Sequence, residues 1–125
     1  MQQMNTNAFV LTYNNNILTA TVKERAVIDQ MDIKEFLNAA KKLVNGENFV
    51  VLTDARAPHI MLHAAQEILK SVQGPNRLAS AIVTNDGVNE KRVDSYISSH
   101  TGVSSTKHFS DTVEALNWLN SFIIK

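Results

Sequence analysis

The chain has 125 residues, with 12 basic and 12 acidic side chains, 44% apolar residues and no cysteine. That length suits a single domain, residues 1–125, able to bury a core without a disulfide or structural metal. The missing cysteines exclude thiol catalysis and Cys-ligated zinc, and the zero net charge argues against nucleic-acid binding, which leaves a basic footprint.

Met1–Asn7 (MQQMNTN) is polar and lacks the basic start and apolar run of a secretory signal; it reads as a flexible N-terminal extension. No apolar stretch approaches the ~20 residues of a membrane span, so a cytoplasmic location is expected. There is no repeat or low-complexity tract, and charges of both signs occur without blocks of one sign.

Phe9–Tyr13 (FVLTY) and Ile17–Val22 (ILTATV) are short, β-branched and partly alternating. Asn14–Asn16 between them tolerates left-handed backbone angles, which predicts a hairpin. Asp32-Ile33-Lys34-Glu35 matches a capping box. Ile33, Phe36, Leu37, Ala40, Leu43 and Val44 follow on one helical face, and Gly46 is placed to end the helix. Phe49–Leu52 (FVVL) reads as a strand covered on both sides. A polar loop, Thr53–His59, precedes a helix from Ile60 to Gln73 that Gly74-Pro75 stops. Leu78–Val83 predicts another buried strand and Asn85-Asp86-Gly87 a turn. A weaker helix over Asn89–His100 and a last strand over Lys107–Phe109 come next. Asp111-Thr112-Val113-Glu114 then caps a closing helix carrying Leu116, Trp118, Leu119 and Phe122. The order ββαβαβαβα predicts an α/β fold: a mixed sheet, antiparallel in its N-terminal hairpin and parallel elsewhere, packed with helices.

In open α/β sheets, ligands sit beyond the C-terminal ends of parallel strands. The candidates there are Asp54, Arg56 and His59 after the third strand, Asn85 and Asp86 after the fourth, and Ser110 and Asp111 after the last. Turn building and helix capping account for most of these residue types. Arg56 is the residue that capping explains least, which makes it the best candidate for contact with an anion or a partner.

His63 and Glu67, four apart, stack on one helix face with His59 at its entry, a set that could ligate zinc. The set lacks the His-Glu-x-x-His arrangement, and a solvated helix face explains it more simply. No serine lies in a Gly-x-Ser-x-Gly elbow, and the four glycines form neither a dinucleotide fingerprint nor a phosphate loop. No cofactor is implied. Trp118 reads as core rather than a stacking platform, while Phe9 and Tyr13 could be exposed and adhesive or packed on the sheet.

FVVLTDARAPHIMLHAAQEIL is similar to the central strand–loop–helix of STAS domains, the fold of bacterial anti-sigma-factor antagonists. Lys107–Leu119 (KHFSDTVEALNWL) resembles the C-terminal signature of a small, uncharacterised bacterial group of STAS/SEC14-like single-domain proteins. The resemblance runs from about Ile17 to Phe122. It implies a non-catalytic interaction module that engages a protein partner, or a second copy of itself, through Asp54–His59 and the start of the next helix. The SEC14 relatives imply an alternative, a carrier of a small apolar ligand or lipid held near Met61, Leu62 and Ile97. A metal-dependent enzyme using His63 and Glu67 is the weakest reading. In antagonists a phosphorylatable Ser or Thr starts the helix after the central strand. The matching positions here are Met61, Leu62, His63 and Ala64, none with a hydroxyl.

Overall fold

The computed structural model describes residues 2–71, 76–84 and 105–123. The expected Gly74-Pro75 stop, the Asn85–Gly87 turn, the Asn89–His100 helix and Ile97 lie outside the described residues. In chain order the elements are β1 (Gln2–Asn5), β2 (Phe9–Asn14), β3 (Ile17–Val22), β4 (Ala26–Ile28), α1 (Gln30–Val44), β5 (Phe49–Asp54), β6 (His59–Met61), α2 (His63–Ser71), β7 (Arg77–Val83), β8 (Ser105–Phe109) and α3 (Thr112–Ile123).

Six strands form the main sheet in the order β1-β2-β3-β5-β7-β8. The β1–β2 and β2–β3 pairs are antiparallel, and every pair from β3 to β8 is parallel. This is the predicted mixed α/β sheet. The β2–β3 hairpin turns where expected, at Asn15 and Asn16, with φ of 51° and 67°; asparagine adopts this left-handed region more readily than most residues.

Strand alternation distributes the core to both faces. Leu11 and Tyr13 of β2, Leu18 and Ala20 of β3 and Val51 of β5 are buried in one cluster with Ile33, Ala40, Leu43 and Val44 of α1 and Ala65 of α2. Val50 and Leu52 of β5 and Ala79, Ala81 and Val83 of β7 point the other way, into a cluster with Ala115 and Leu119 of α3. Helices thus cover both faces of β5. Trp118 packs against this second cluster, its ring 5.6 Å from Phe109 and 4.9 Å from Phe122. Phe9 and Tyr13 are buried rather than adhesive. Phe9 meets Phe36 edge-on at 4.8 Å, and the Tyr13 hydroxyl donates to Glu47 Oε1 at 2.8 Å. Burial and that carboxylate push the Tyr13 phenol up to about 12.

Several local expectations are corrected. Residues Gln2–Asn5, expected to be flexible, form β1 and pair along their whole length with β2, because Met4 reaches the first core cluster. Helix α1 starts earlier than predicted. Asp29 is its N-cap, and the capping box joins Asp29 to Asp32 instead of Asp32 to Glu35. The Asp32 N–H donates to Asp29 Oδ1 at 2.9 Å, and the Asp29 N–H donates to Asp32 Oδ2 at 3.0 Å. Asn7, from the β1–β2 connection, donates through its side chain to Asp32 and through its backbone N–H to Glu35. At the other end Asn45, with φ 48°, takes the left-handed cap position one residue before Gly46. Helix α2 begins at His63 and not at Ile60, because β6 pairs in parallel with β4 over Ala26–Ile28. At α3 the Glu114 N–H donates to Asp111 Oδ2 at 3.3 Å, so Asp111 caps as predicted.

The Asp29 backbone, followed by the Asn7 side chain, holds the Asp32 carboxyl below its ordinary value of 3.8. A depressed carboxyl stabilises the fold fully above its unfolded value, and that contribution drains away as the pH falls through the folded value. Asp29→Ala should therefore cost about 1 kcal/mol in urea unfolding at neutral pH, and Asp32→Asn should flatten the loss of stability on acidification below 3.8. Ala79, Ala81 and Ala115 are fully buried where α3 crosses β7. Ala81→Leu should overpack that crossing and cost about 1–3 kcal/mol in the same measurement.

Candidate functional site

Because β1, β3, β5, β7 and β8 all run in one direction, their C-terminal ends share one edge of the sheet. The polar segments Thr6–Asn7, Asp54–Arg56 and Ser110–Asp111 emerge there. The Ala55 N–H donates to the Val83 carbonyl at 2.8 Å and the Thr84 N–H to the Phe109 carbonyl at 3.1 Å, which ties successive strand ends together. Beneath this edge the fully buried Thr84 places its Oγ1 2.6 Å from His108 Nε2, a pairing not anticipated from the sequence.

Arg56 is occupied. Its Nε donates to Asp54 Oδ1 at 2.9 Å, its guanidinium NH2 group to Asp54 Oδ2 at 2.7 Å, and its backbone N–H to Asp54 Oδ1 at 3.2 Å. A side-chain fork and a local turn therefore share one carboxylate, the bidentate geometry that suits guanidinium best. The Arg56 side chain holds the Asp54 carboxyl below the usual range, and Asp54, then Asp111, raises the guanidinium in turn. The influence of Asp111 places the loops after β5 and β8 in one electrostatic neighbourhood. The guanidinium that looked free in sequence is closed onto its own loop.

The histidines do separate things. His59, in β6, has Nδ1 2.8 Å from the Ala57 carbonyl, which fits the tautomer with the proton on Nδ1. His63 opens α2 and lies 3.6 Å from Glu67, with the two side chains 84% and 54% exposed. Among the described residues no three His, Cys, Asp or Glu side chains are grouped to hold a metal. Asn85 and Asp86 lie outside the described residues. Met61–Ala64, the stretch without a hydroxyl, runs from the end of β6 into the first turn of α2.

The feature missed in the sequence is apolar. In the β4–β6 pair Val27 stands opposite Ile60, and their side chains share the outer face, 55% and 53% exposed, while Ile28 is buried inward. The same two chain segments expose Met31, in the first turn of α1, and Leu62, whose N–H donates to the Ile28 carbonyl. Large apolar side chains exposed side by side are informative in a way that a single one is not. The available signal was Ala26-Val27-Ile28, a β-branched run too short to distinguish a strand from a loop without its partner.

Arg56→Ala should let the Asp54 carboxyl rise toward its ordinary value of 3.8, read as the titration midpoint of that carboxyl carbon by NMR. A midpoint that stays put would show that the backbone turn, and not the fork, sets it.

Among curated proteins none matches this chain. Among solved structures it is similar to an uncharacterised protein of the DUF3478 family from Shewanella loihica PV-4, described as having a SpoIIAA-like fold. The two are 21% identical, with a TM-score of 0.63 over 93% of this chain and 98% of that one. That likeness establishes the fold, in agreement with the resemblance to anti-sigma-factor antagonists. By its match over residues 11–123, the chain belongs to the family described as Domain of unknown function (DUF7793).

Proposed function

We propose that this chain is a non-catalytic protein-interaction module whose docking surface is the β4–β6 strand pair and the start of α2. The exposed juxtaposition of Val27 and Ile60 carries this reading. Met31 and Leu62 add apolar area, while Asp54, Arg56, His59 and His63 supply polar groups along the same 54–63 segment. An apolar centre with a polar rim is the usual anatomy of a protein interface. The Asp54–Arg56 fork serves here to hold the loop in shape, so that a partner meets a preformed surface.

The absence of a hydroxyl from Met61 to Ala64 argues for binding that is not switched by phosphorylation at that place. Histidine and carboxylate side chains here are exposed or engaged by their own neighbours, which favours recognition over catalysis.

The test is co-purification from the source cells with quantitative mass spectrometry, then titration of the purified partner. Val27→Ser and Ile60→Ser should each weaken binding about tenfold or more, since burying such a side chain contributes about 1.5–3 kcal/mol. Thermal stability should barely change, because both side chains are more than half exposed. Unchanged affinity in both variants would overturn the reading. A small apolar molecule retained in native mass spectra, displaced by no protein, would favour the carrier instead.

A further inference from the structure

We infer that the outer edge of β1 is a self-association surface, on which a second copy of this chain pairs antiparallel about a two-fold axis to make one continuous sheet. Strand β1 ends the main sheet, and among the described residues nothing pairs with its outer side. The Thr6 N–H donates to the Phe9 carbonyl at 2.8 Å, so Thr6 and Phe9 form a hydrogen-bonded pair of the antiparallel ladder. Such pairs alternate along the ladder. With Met4 opposite Leu11 and Gln2 opposite Tyr13, the backbone groups of Gln2 and Met4 turn toward β2. Those of Gln3 and Asn5 turn outward.

The outward groups are unguarded. Natural sheets blunt a free edge with lysine, proline, a bulge or an inward charge. From Met1 through Val22 this chain has no charged side chain and no proline, and the first charged side chain is Lys23. The opposite edge strand, β8, carries Lys107. The neutral character extends over the neighbouring face, where Gln3 aligns with Thr12 and Thr19 and Asn5 with Val10 and Thr21.

Charge decides between a second copy and another protein. A two-fold axis at Met4 sets positions 3 and 5 of one copy against 5 and 3 of the other, so like charges at both positions would repel. A different partner could answer such a charge with the opposite one. Uncharged Gln3 and Asn5 meet across such an axis without repulsion, which fits self-pairing. A pairing centred on Met4 joins Gln3 of each copy to Asn5 of the other through their outward N–H and C=O groups. Both side chains are exposed, on the face opposite the one by which Met4 meets the core.

The experiment is sedimentation velocity with native mass spectrometry on the full chain. The wild type should be dimeric. Gln3→Lys/Asn5→Lys and Gln3→Glu/Asn5→Glu should each raise the dimer dissociation constant by at least about tenfold, with circular dichroism unchanged. Mixing the two double variants should restore a dimer of mixed mass, which a folding defect would not produce. A wild type that is monomeric at every soluble concentration, or a lysine variant that dimerises as before, would overturn the inference. Val27→Ser should leave the dimer intact, so this surface and the β4–β6 surface are tested independently.

Discussion

Strand β5 is the constraint on which the other elements depend. It lies between parallel neighbours β3 and β7, so its backbone groups are satisfied on both sides. Its side chains are divided between two helical layers. Val51 faces α1 and α2, whereas Val50 and Leu52 face α3. A strand in that position must be apolar at successive residues, and FVVL is. Once it is placed, α1 and α2 are confined to one face and α3 to the other. The small side chains Ala79 and Ala81 let α3 approach closely.

The same arrangement accounts for where polar chemistry collects. Parallel strands deliver their C-terminal ends to one edge, and the loops leaving that edge must turn sharply. Asp54 does so by accepting from the Arg56 backbone as well as from its guanidinium. The β4–β6 pair is a by-product of this geometry. Parallel pairing brings the chain after β3 beside the chain after β5, and with three residues in each strand it can bury only one face. Ile28 takes the inner side and Val27 is left outside. The exposed apolar strip follows from topology and not from any local excess of hydrophobic sequence.

Elements with strong local signals were legible. The Asn15–Asn16 turn and the cap at Asp111 rest on interactions within a few residues, and the apolar face of α1 and the apolar runs of β5 and β7 show in a short window of sequence. Elements that depend on a distant partner were not. Asp32-x-x-Glu35 carries the favoured glutamate three residues on, yet the box forms between Asp29 and Asp32. Asn7, 25 and 28 positions away, engages Asp32 and Glu35 and so draws both into the helix. Strand β1 is polar and has no apolar pattern, and it becomes a strand because β2 offers an edge and Met4 a place in the core. Arg56 looked free because a fork to a residue two positions earlier depends on loop shape, which sequence does not display.

Composition and spacing by themselves determined the class of this protein: a capped α/β fold with a mixed sheet, built without cysteine. These properties are set by local backbone preferences and by the periodicity of apolar residues, which any window of the chain contains. Tertiary structure alone decided which polar groups are occupied and which apolar ones are exposed. The turn after β5 closed Asp54 and Arg56 onto each other, pairing between distant segments turned Val27 and Ile60 outward together, and among the described residues no strand pairs with the outer edge of β1. Occupancy and exposure are properties of neighbours in space, and they exist only once the sheet has chosen its order.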